Sequence, residues 1–141
     1  MGNATTSQHQ KILTAIRSDN AEKLMKYIKL YNIPSNSILT KGKSLIHLCA
    51  MYGSVSCLTH LISNNYDINI KDAADQSTPL IYSSKFDFIE ISKILLRHNC
   101  DVTAKNNLGL NALDISVLRG NYRSAYLLME TTSLQLGPVD F

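Results

Sequence analysis

The strongest constraint on the fold of this chain is a sequence pattern that returns at intervals of 33 to 34 residues. Ser44, Thr78 and Asn111 mark the same place in three successive units, and each is followed by two short apolar segments with helical spacing. Thr78 can cap a helix whose first residue is Pro79, where proline loses no hydrogen bond. One such helix pair cannot bury its own apolar faces, so the pattern predicts a stack of helix pairs.

The middle unit carries the clearest motifs. They are Thr78-Pro79-Leu80, the small residues Ser83 and Ser84, the Ile-Leu-Leu run at 94–96, and Asp101-Val102. In this order and spacing they resemble an ankyrin repeat, and His47 in the unit before occupies the histidine position of the family signature. The resemblance covers roughly residues 8–130. It implies an all-α ankyrin-repeat solenoid of stacked helix-turn-helix units with short β-hairpin fingers.

The resemblance also divides the chain. We expect a flexible N-terminus at 1–6, one domain at 7–130 with repeats at 7–39, 40–73, 74–106 and 107–130, and a tail at 131–141. The first repeat is degenerate, with a helix predicted from about Gln8 to Arg17. Gly53, Asp87 and Gly120 stand between the two helices of their units, where a left-handed backbone is expected.

Composition narrows the class of protein. The formal net charge is only +3 and the basic residues are scattered, so we expect no nucleic-acid partner. The three cysteines form no CxxC pair, which favours reduced thiols in an intracellular protein. We therefore expect a cytoplasmic location, with a nuclear or membrane-associated one as alternatives.

The first six residues fit the pattern for N-myristoylation, with Gly2 as the acceptor and Thr6 four places on. The alternative is an unmodified start. A single acyl chain gives only marginal membrane affinity, and no polybasic cluster stands beside Gly2. Membrane association is therefore expected to be weak and reversible, and only if Gly2 is acylated.

The chain offers poor candidates for catalysis or metal binding. Cys57 and His60 lie three residues apart and can share a helix face, but no further ligands stand at metal spacing. We interpret His47 as hydrogen-bonded within the turns of neighbouring repeats. Asp72 and Asp75 are predicted on an exposed finger, where nothing would raise a carboxyl pKa for acid-base work. We predict no enzymatic activity, no metal and no cofactor.

A binding surface is the remaining candidate, and the resemblance implies where it lies. In the ankyrin fold the ends of the inner helices and the finger tips face a concave groove. The matching positions here are Arg17 and Ser18, Met51 and Tyr52, Lys85 and Phe86, and Leu118 and Arg119, with Lys41, Lys43, Asp72, Asp75, Asn107 and Leu108 on the fingers. Tyr52 and Phe86 are typical anchors for a protein partner. The alternative is that these rings pack on the bases of adjacent fingers.

The function predicted from the sequence is a non-catalytic adaptor that binds a protein or peptide in its groove. The mixture of aromatic and basic groups favours a ligand with apolar anchors and some acidic residues. The alternative is a structural or targeting subunit of a larger assembly, or of a longer protein such as a ligase or transferase. That alternative is suggested by the abrupt end at Asp140-Phe141.

Overall fold

A computed structural model describes residues 2–136 of the chain. The helices are α1 (Gly2–Arg17), α2 (Ala21–Leu30), α3 (Leu45–Tyr52), α4 (Val55–Ser63), α5 (Pro79–Lys85), α6 (Ile89–Arg97), α7 (Ala112–Arg119) and α8 (Tyr122–Leu136), and the strands are β1 (Ile38–Thr40) and β2 (Lys43–Ser44). Consecutive helices pair as α1 with α2, α3 with α4, α5 with α6, and α7 with α8.

The pairs stack in two rows. The inner helices α1, α3, α5 and α7 each contact the next one in their row, and so do the outer helices α2, α4, α6 and α8. The core runs along the stack between the rows. Its largest fully buried side chains are Ile12, Ile16, Leu24, Leu45, Ile46, Leu48, Leu58, Leu61, Leu80, Ile81, Ile91 and Leu95. The predicted all-α stack of helix pairs is confirmed.

A residue in the left-handed region separates the two helices of every pair. Asp19, Gly53, Asp87 and Gly120 have φ values of 51°, 68°, 58° and 69°. The three positions predicted from the sequence are thus confirmed, and Asp19 joins them at the same spacing. A further residue with positive φ follows each of the outer helices α2, α4 and α6. It is an asparagine each time: Asn32, Asn65 and Asn99. Asparagine is one of the few side chains that enter this region at moderate cost.

Local capping fixes where the inner helices begin. Thr78 Oγ1 accepts a hydrogen bond from the backbone N–H of Ile81 at 3.3 Å, and Pro79 is the first residue of α5. Asn111 and Asp114 cap α7 reciprocally, each side chain accepting from the other's backbone N–H. These caps confirm the helix start predicted at Thr78.

The two end helices are longer than predicted. Helix α1 begins at Gly2, six residues before the predicted start at Gln8. Helix α8 continues to Leu136, past the predicted end at Glu130, because no helix breaker comes before Gly137. In this extension Thr131 and Thr132 donate their hydroxyl protons to carbonyls one turn back. The predicted stop at Gly137-Pro138 lies outside the described residues.

Only the first finger is a strand pair within residues 2–136. Strands β1 and β2 pair antiparallel around Lys41 and Gly42, which both have positive φ. The finger predicted after α4 is instead a turn, closed by the N–H of Asp72 donating to the carbonyl of Ser77 at 3.0 Å. Strand pairing is absent there because side-chain oxygens of Asp72 and Asp75 take up backbone N–H groups of the turn. In the described part of the chain no helix is long and apolar enough to cross a membrane.

Candidate protein-binding face

A surface hollow of about 270 Å³ lies between the first two helix pairs. Its lining comprises Leu13, Arg17, Thr40, Lys41, Lys43, Leu48, Met51 and Tyr52. The hollow therefore brings together five residues that the sequence analysis assigned to the groove: Arg17, Lys41, Lys43, Met51 and Tyr52. Ser18 lies in a separate hollow on the first pair, which it shares with Lys11 and Tyr27.

Tyr52 is held in place by a cation from the neighbouring unit. The Arg17 guanidinium donates to the Tyr52 hydroxyl at 3.2 Å, and its carbon lies 5.1 Å from the centre of the ring. Tyr52 nevertheless keeps 37% of its surface exposed. Its ring is thus oriented before any partner arrives, which reduces the entropy lost on binding.

Phe86, one unit further along the stack, also lies beside a cation, but this cation belongs to the preceding residue of the chain. The Lys85 ammonium lies 5.6 Å from the centre of the Phe86 ring. The centres of the Phe86 and Phe88 rings are 6.4 Å apart. Phe86 is 42% exposed. The charged and aromatic partners of the two rings are Arg17, Lys85 and Phe88, whereas finger residues Lys41 and Lys43 share the hollow with Tyr52.

In the last unit the predicted groove residues become mainly apolar. Leu118 is 70% exposed and lines a second hollow of about 450 Å³ with Leu110, Leu113, Asp114 and Val117. Leu108 on the neighbouring loop is 76% exposed, and Asn107 and Arg119 are exposed too. The N–H of Asn107 donates to the carbonyl of Asp75 at 2.8 Å, so adjacent loops are tied together.

The prediction that Asp72 projects from an exposed finger is wrong. Its side chain is only 3% exposed, and its carboxylate accepts hydrogen bonds from the N–H groups of Asp75 and Ser77 and from the hydroxyl of Tyr82. Burial alone would raise the pKa of Asp72, but the hydrogen bonds, with Tyr82 first, hold it below its ordinary value. Asp72 thus holds the turn together and is not available to a partner.

The charges on this face are unbalanced. Arg17, Lys41, Lys43, Lys85 and Arg119 all carry positive charge, although Lys43 is half-buried over the ring of Tyr82. Two carboxylates stand nearby, with Asp75 accepting from the N–H of Ser77 and Asp114 from that of Asn111, so five cations face two anions. We call the surface formed by Arg17, Lys41, Met51, Tyr52, Lys85, Phe86, Leu118 and Arg119 the groove face. It is basic with apolar anchors.

His47 is structural, as predicted. Its Nδ1 accepts from the N–H of Ser44 at 3.2 Å, and its Nε2 lies 2.8 Å and 3.0 Å from the carbonyl oxygens of Ile70 and Ser77. These partners require the neutral ring with its proton on Nε2. Burial lowers the pKa of His47, and the Ile70 carbonyl and the Asp72 charge oppose that shift only in part.

Among the described residues, no three side chains of His, Cys, Asp or Glu come close enough to hold a metal ion. Cys49, Cys57 and Cys100 are buried and unpaired. Burial raises the pKa of Cys100 to about 12 and that of Cys49 well above its ordinary value, so both thiols are unreactive at neutral pH.

One contact between units was missed from the sequence. The Asp19 carboxylate accepts from the N–H groups of Ser56 and Cys57 at 3.1 and 2.9 Å and so caps the helix of the next unit. Asp87 links to the last unit through a side chain instead, because its carboxylate accepts from the hydroxyl of Ser124 at 2.7 Å. The signal was available, because Asp19 stands 34 residues before Gly53 in the repeat pattern.

Comparison with known proteins agrees with this architecture. The sequence profile described as "Ankyrin repeats (3 copies)" matches residues 46–136, which is more than half of the chain. The chain belongs to the ankyrin-repeat family. Ankyrin repeats in general mediate contacts between proteins.

Three relatives illustrate the range of ankyrin-repeat proteins that this chain resembles. It is 32% identical to inversin of Gallus gallus over 101 residues, which cover 70% of this chain and 9% of inversin. It is 35% identical to an ankyrin repeat-containing protein of Schizosaccharomyces pombe over 91 residues, 64% of this chain and 42% of that one. Identity to protein phosphatase 1 regulatory subunit 12A of Mus musculus is 35% over 75 residues, 53% and 7% of the two chains. This chain therefore spans less than half of each relative.

Proposed function

We propose that this protein is a non-catalytic interaction module that binds a partner protein or peptide along the groove face. The observation that carries the proposal is the pair of preoriented, partly exposed rings of Tyr52 and Phe86, each beside a cation. Rigid aromatic residues at the centre of a surface contribute most of the binding energy in many interfaces.

The charge on the groove face specifies the partner further. The groove face holds four cations, Arg17, Lys41, Lys85 and Arg119, and the carboxylates of Asp75 and Asp114 stand beside it, so positive charge is in excess. A partner with acidic residues gains favourable long-range attraction, and one with basic residues is repelled. We infer that the ligand combines aromatic or aliphatic anchors with aspartate or glutamate.

The test is a peptide array in which aromatic anchors are flanked either by acidic or by basic residues. We expect the wild type to bind the acidic set, and Tyr52→Ala with Phe86→Ala to weaken that binding at least tenfold while the far-UV circular dichroism spectrum is unchanged. Leu30→Ala is the matched control, because Leu30 is 64% exposed but lies on α2, outside the groove face. If the wild type binds the acidic and basic sets equally, the inferred preference for acidic ligands is wrong. If the double variant binds as tightly as Leu30→Ala, the groove face is not the binding site.

A second candidate is a structural or targeting subunit of a larger assembly. Among the relatives, protein phosphatase 1 regulatory subunit 12A is by its name a subunit of a larger enzyme, which supports this candidate. Gel filtration of the native protein from its own cells distinguishes the two. A free 141-residue chain contradicts the subunit hypothesis, and obligate co-purification supports it. Acylation of Gly2 and a cytoplasmic location stay predictions, and intact-mass measurement of the same sample tests the first.

A further inference from the structure

Helix α8 carries an apolar stripe that the stack leaves uncovered. Tyr122, Tyr126 and Met129 are 77%, 69% and 56% exposed, and Ser133 continues the line. Their spacing of four, three and four residues places them on one side of the helix. The helix is also 15 residues long, whereas the outer helices α4 and α6 have 9 each. This stripe is long enough to pack along another helix.

The stripe differs at its middle position from the surface that matching residues present inside the stack. Tyr126 matches Thr59 of α4 and Lys93 of α6, which are polar. Tyr122 and Met129 match residues that are apolar there too: Val55 and Ile89, and Ile62 and Leu96. On the adjoining inner helix, Val117 is 58% exposed, whereas its counterpart Ser84 is fully buried under α7. At Tyr126 and Val117 the end face is therefore more apolar than the matching positions of an interior junction. Apolar patches of this kind on a protein surface mark interaction sites.

The opposite end of the stack cannot cover this stripe well. Most residues that line the hollow on the first helix pair are polar or charged: Ser7, Gln10, Lys11, Thr14, Ser18 and Lys23, beside Ala15 and Tyr27. Head-to-tail stacking of two copies would bring these polar groups against the tyrosines of α8, and they would be desolvated without compensation. A symmetric contact, in which α8 faces α8, avoids this mismatch.

The charges beside the stripe indicate the direction of such a contact. Arg123 and Glu130 are exposed, lie on the same flank of the stripe and stand seven residues apart, with Tyr126 near their midpoint. When two copies of a helix pair antiparallel about this midpoint, Arg123 of each meets Glu130 of the other. A parallel pair leaves them unmatched, since the other flank holds Ala125 and Thr132.

We propose that the protein forms a symmetric dimer in which α8 packs antiparallel on α8 of a second copy. The contact is apolar along Tyr122, Tyr126 and Met129, and it is oriented by two ion pairs between Arg123 and Glu130. This surface is separate from the groove face, so each copy keeps its groove free. The dimer then presents two grooves, and the increase in effective concentration strengthens binding to any partner that carries two ligand segments.

The test uses sedimentation of the full chain over a wide concentration range. We expect a dimer for the wild type. We expect Arg123→Glu and Glu130→Arg each to weaken self-association at least tenfold, because each places like charges opposite one another at both ends of the contact. Mixing the two variants restores the dimer, since each glutamate then meets an arginine of the other variant.

Two controls keep the outcome decisive. Lys11→Glu changes a charge on the opposite end of the stack and should leave the dimer intact. Tyr126→Ser should weaken the dimer while far-UV circular dichroism shows the helices retained. A wild type that stays monomeric at every concentration overturns the proposal, whether the stripe is then covered by another protein or by residues 137–141. A mixture of the two charge variants that stays monomeric overturns it as well.

Discussion

The second and the last helix pairs, α3–α4 and α7–α8, have nearly the same local structure in different surroundings. Each inner helix ends at a glycine in the left-handed region, with φ of 68° at Gly53 and 69° at Gly120. A Cβ atom added at Gly53 would lie 2.9 Å from the ring of Phe88, whereas one at Gly120 meets nothing within 4 Å. The same turn is therefore enclosed in the interior and open at the end.

The third residue of each inner helix shows the same contrast. His47 caps α3 and also reaches the carbonyl groups of Ile70 and Ser77 beyond its own helix pair. Asp114 stands at the matching place in α7, and its carboxylate accepts from the N–H of Asn111 at the start of its own helix. The local sequence thus sets the shape of each unit, and contact with the next unit sets how much each residue contributes to stability.

The largest effect expected from this contrast is in the core. Leu61 and Leu128 occupy matching places in α4 and α8 and are 0% and 2% exposed. Leu61→Ala should lower the free energy of unfolding by about 4 kcal/mol and Leu128→Ala by about 2 to 3 kcal/mol, because α8 has an open side and can settle into the cavity. Urea unfolding followed by circular dichroism measures both.

The measurement should be made at low protein concentration, so that self-association does not contribute. Ile12→Val serves as a control for a small change in the core, since Ile12 is also fully buried. Equal losses for Leu61→Ala and Leu128→Ala would show that the last pair is held as rigidly as the interior one, and the contrast between them would fail.

The two glycines give a smaller but more specific effect. Gly53→Ala and Gly120→Ala both place a Cβ at a left-handed position, which costs about 1 to 2 kcal/mol. Only Gly53→Ala also meets Phe88, so it should be destabilised by about 1 kcal/mol or more beyond Gly120→Ala. Thermal unfolding of the two variants provides the comparison.

A double variant locates the origin of the difference. Phe88→Ala with Gly53→Ala removes the ring that the new Cβ would meet, so the extra loss relative to Gly120→Ala should vanish after the cost of Phe88→Ala alone is subtracted. If the extra loss persists without the ring, the contact with Phe88 is not its cause.

Most of the architecture could be predicted from the sequence because it depends on local spacing. The cap at Thr78, the left-handed links at Gly53 and Asp87, and the role of His47 all follow from which residue stands at a fixed place in the repeat. The outer limits of the first and last helices could not be predicted. The repeat pattern gives no boundary for α8 after Glu130, and the helix continues to Leu136.

The candidate site was predictable only in part. The repeat positions placed Arg17 and Tyr52 in the same hollow, but the ring contact between them depends on side-chain reach across two units. Asp72 shows the limit most clearly. Its place in the repeat predicts a loop, but whether its carboxylate faces water depends on Tyr82, ten residues later, whose hydroxyl donates to it.

The smallest effect concerns pH and distinguishes His47 from its counterpart in the last pair. Because burial lowers the pKa of His47 in the folded protein, the unfolded chain takes up a proton that the folded chain does not. The free energy of unfolding should therefore decrease as the pH falls below about 6.5, the ordinary histidine value, by up to about 1.4 kcal/mol per pH unit until the folded pKa is reached.

His47→Gln isolates this contribution, because a glutamine amide can still accept from Ser44 and donate to a carbonyl but does not titrate. Its stability should change less with pH than that of the wild type between about pH 6.5 and 5. The effect is separate from that of Asp72, whose lowered pKa stabilises the fold above the ordinary aspartate value of about 3.9 and loses that effect only as the pH falls through the folded pKa. Identical slopes for wild type and His47→Gln above pH 5 would mean that the folded ring takes up its proton in the same pH range as the unfolded one, and burial would then not lower the pKa of His47.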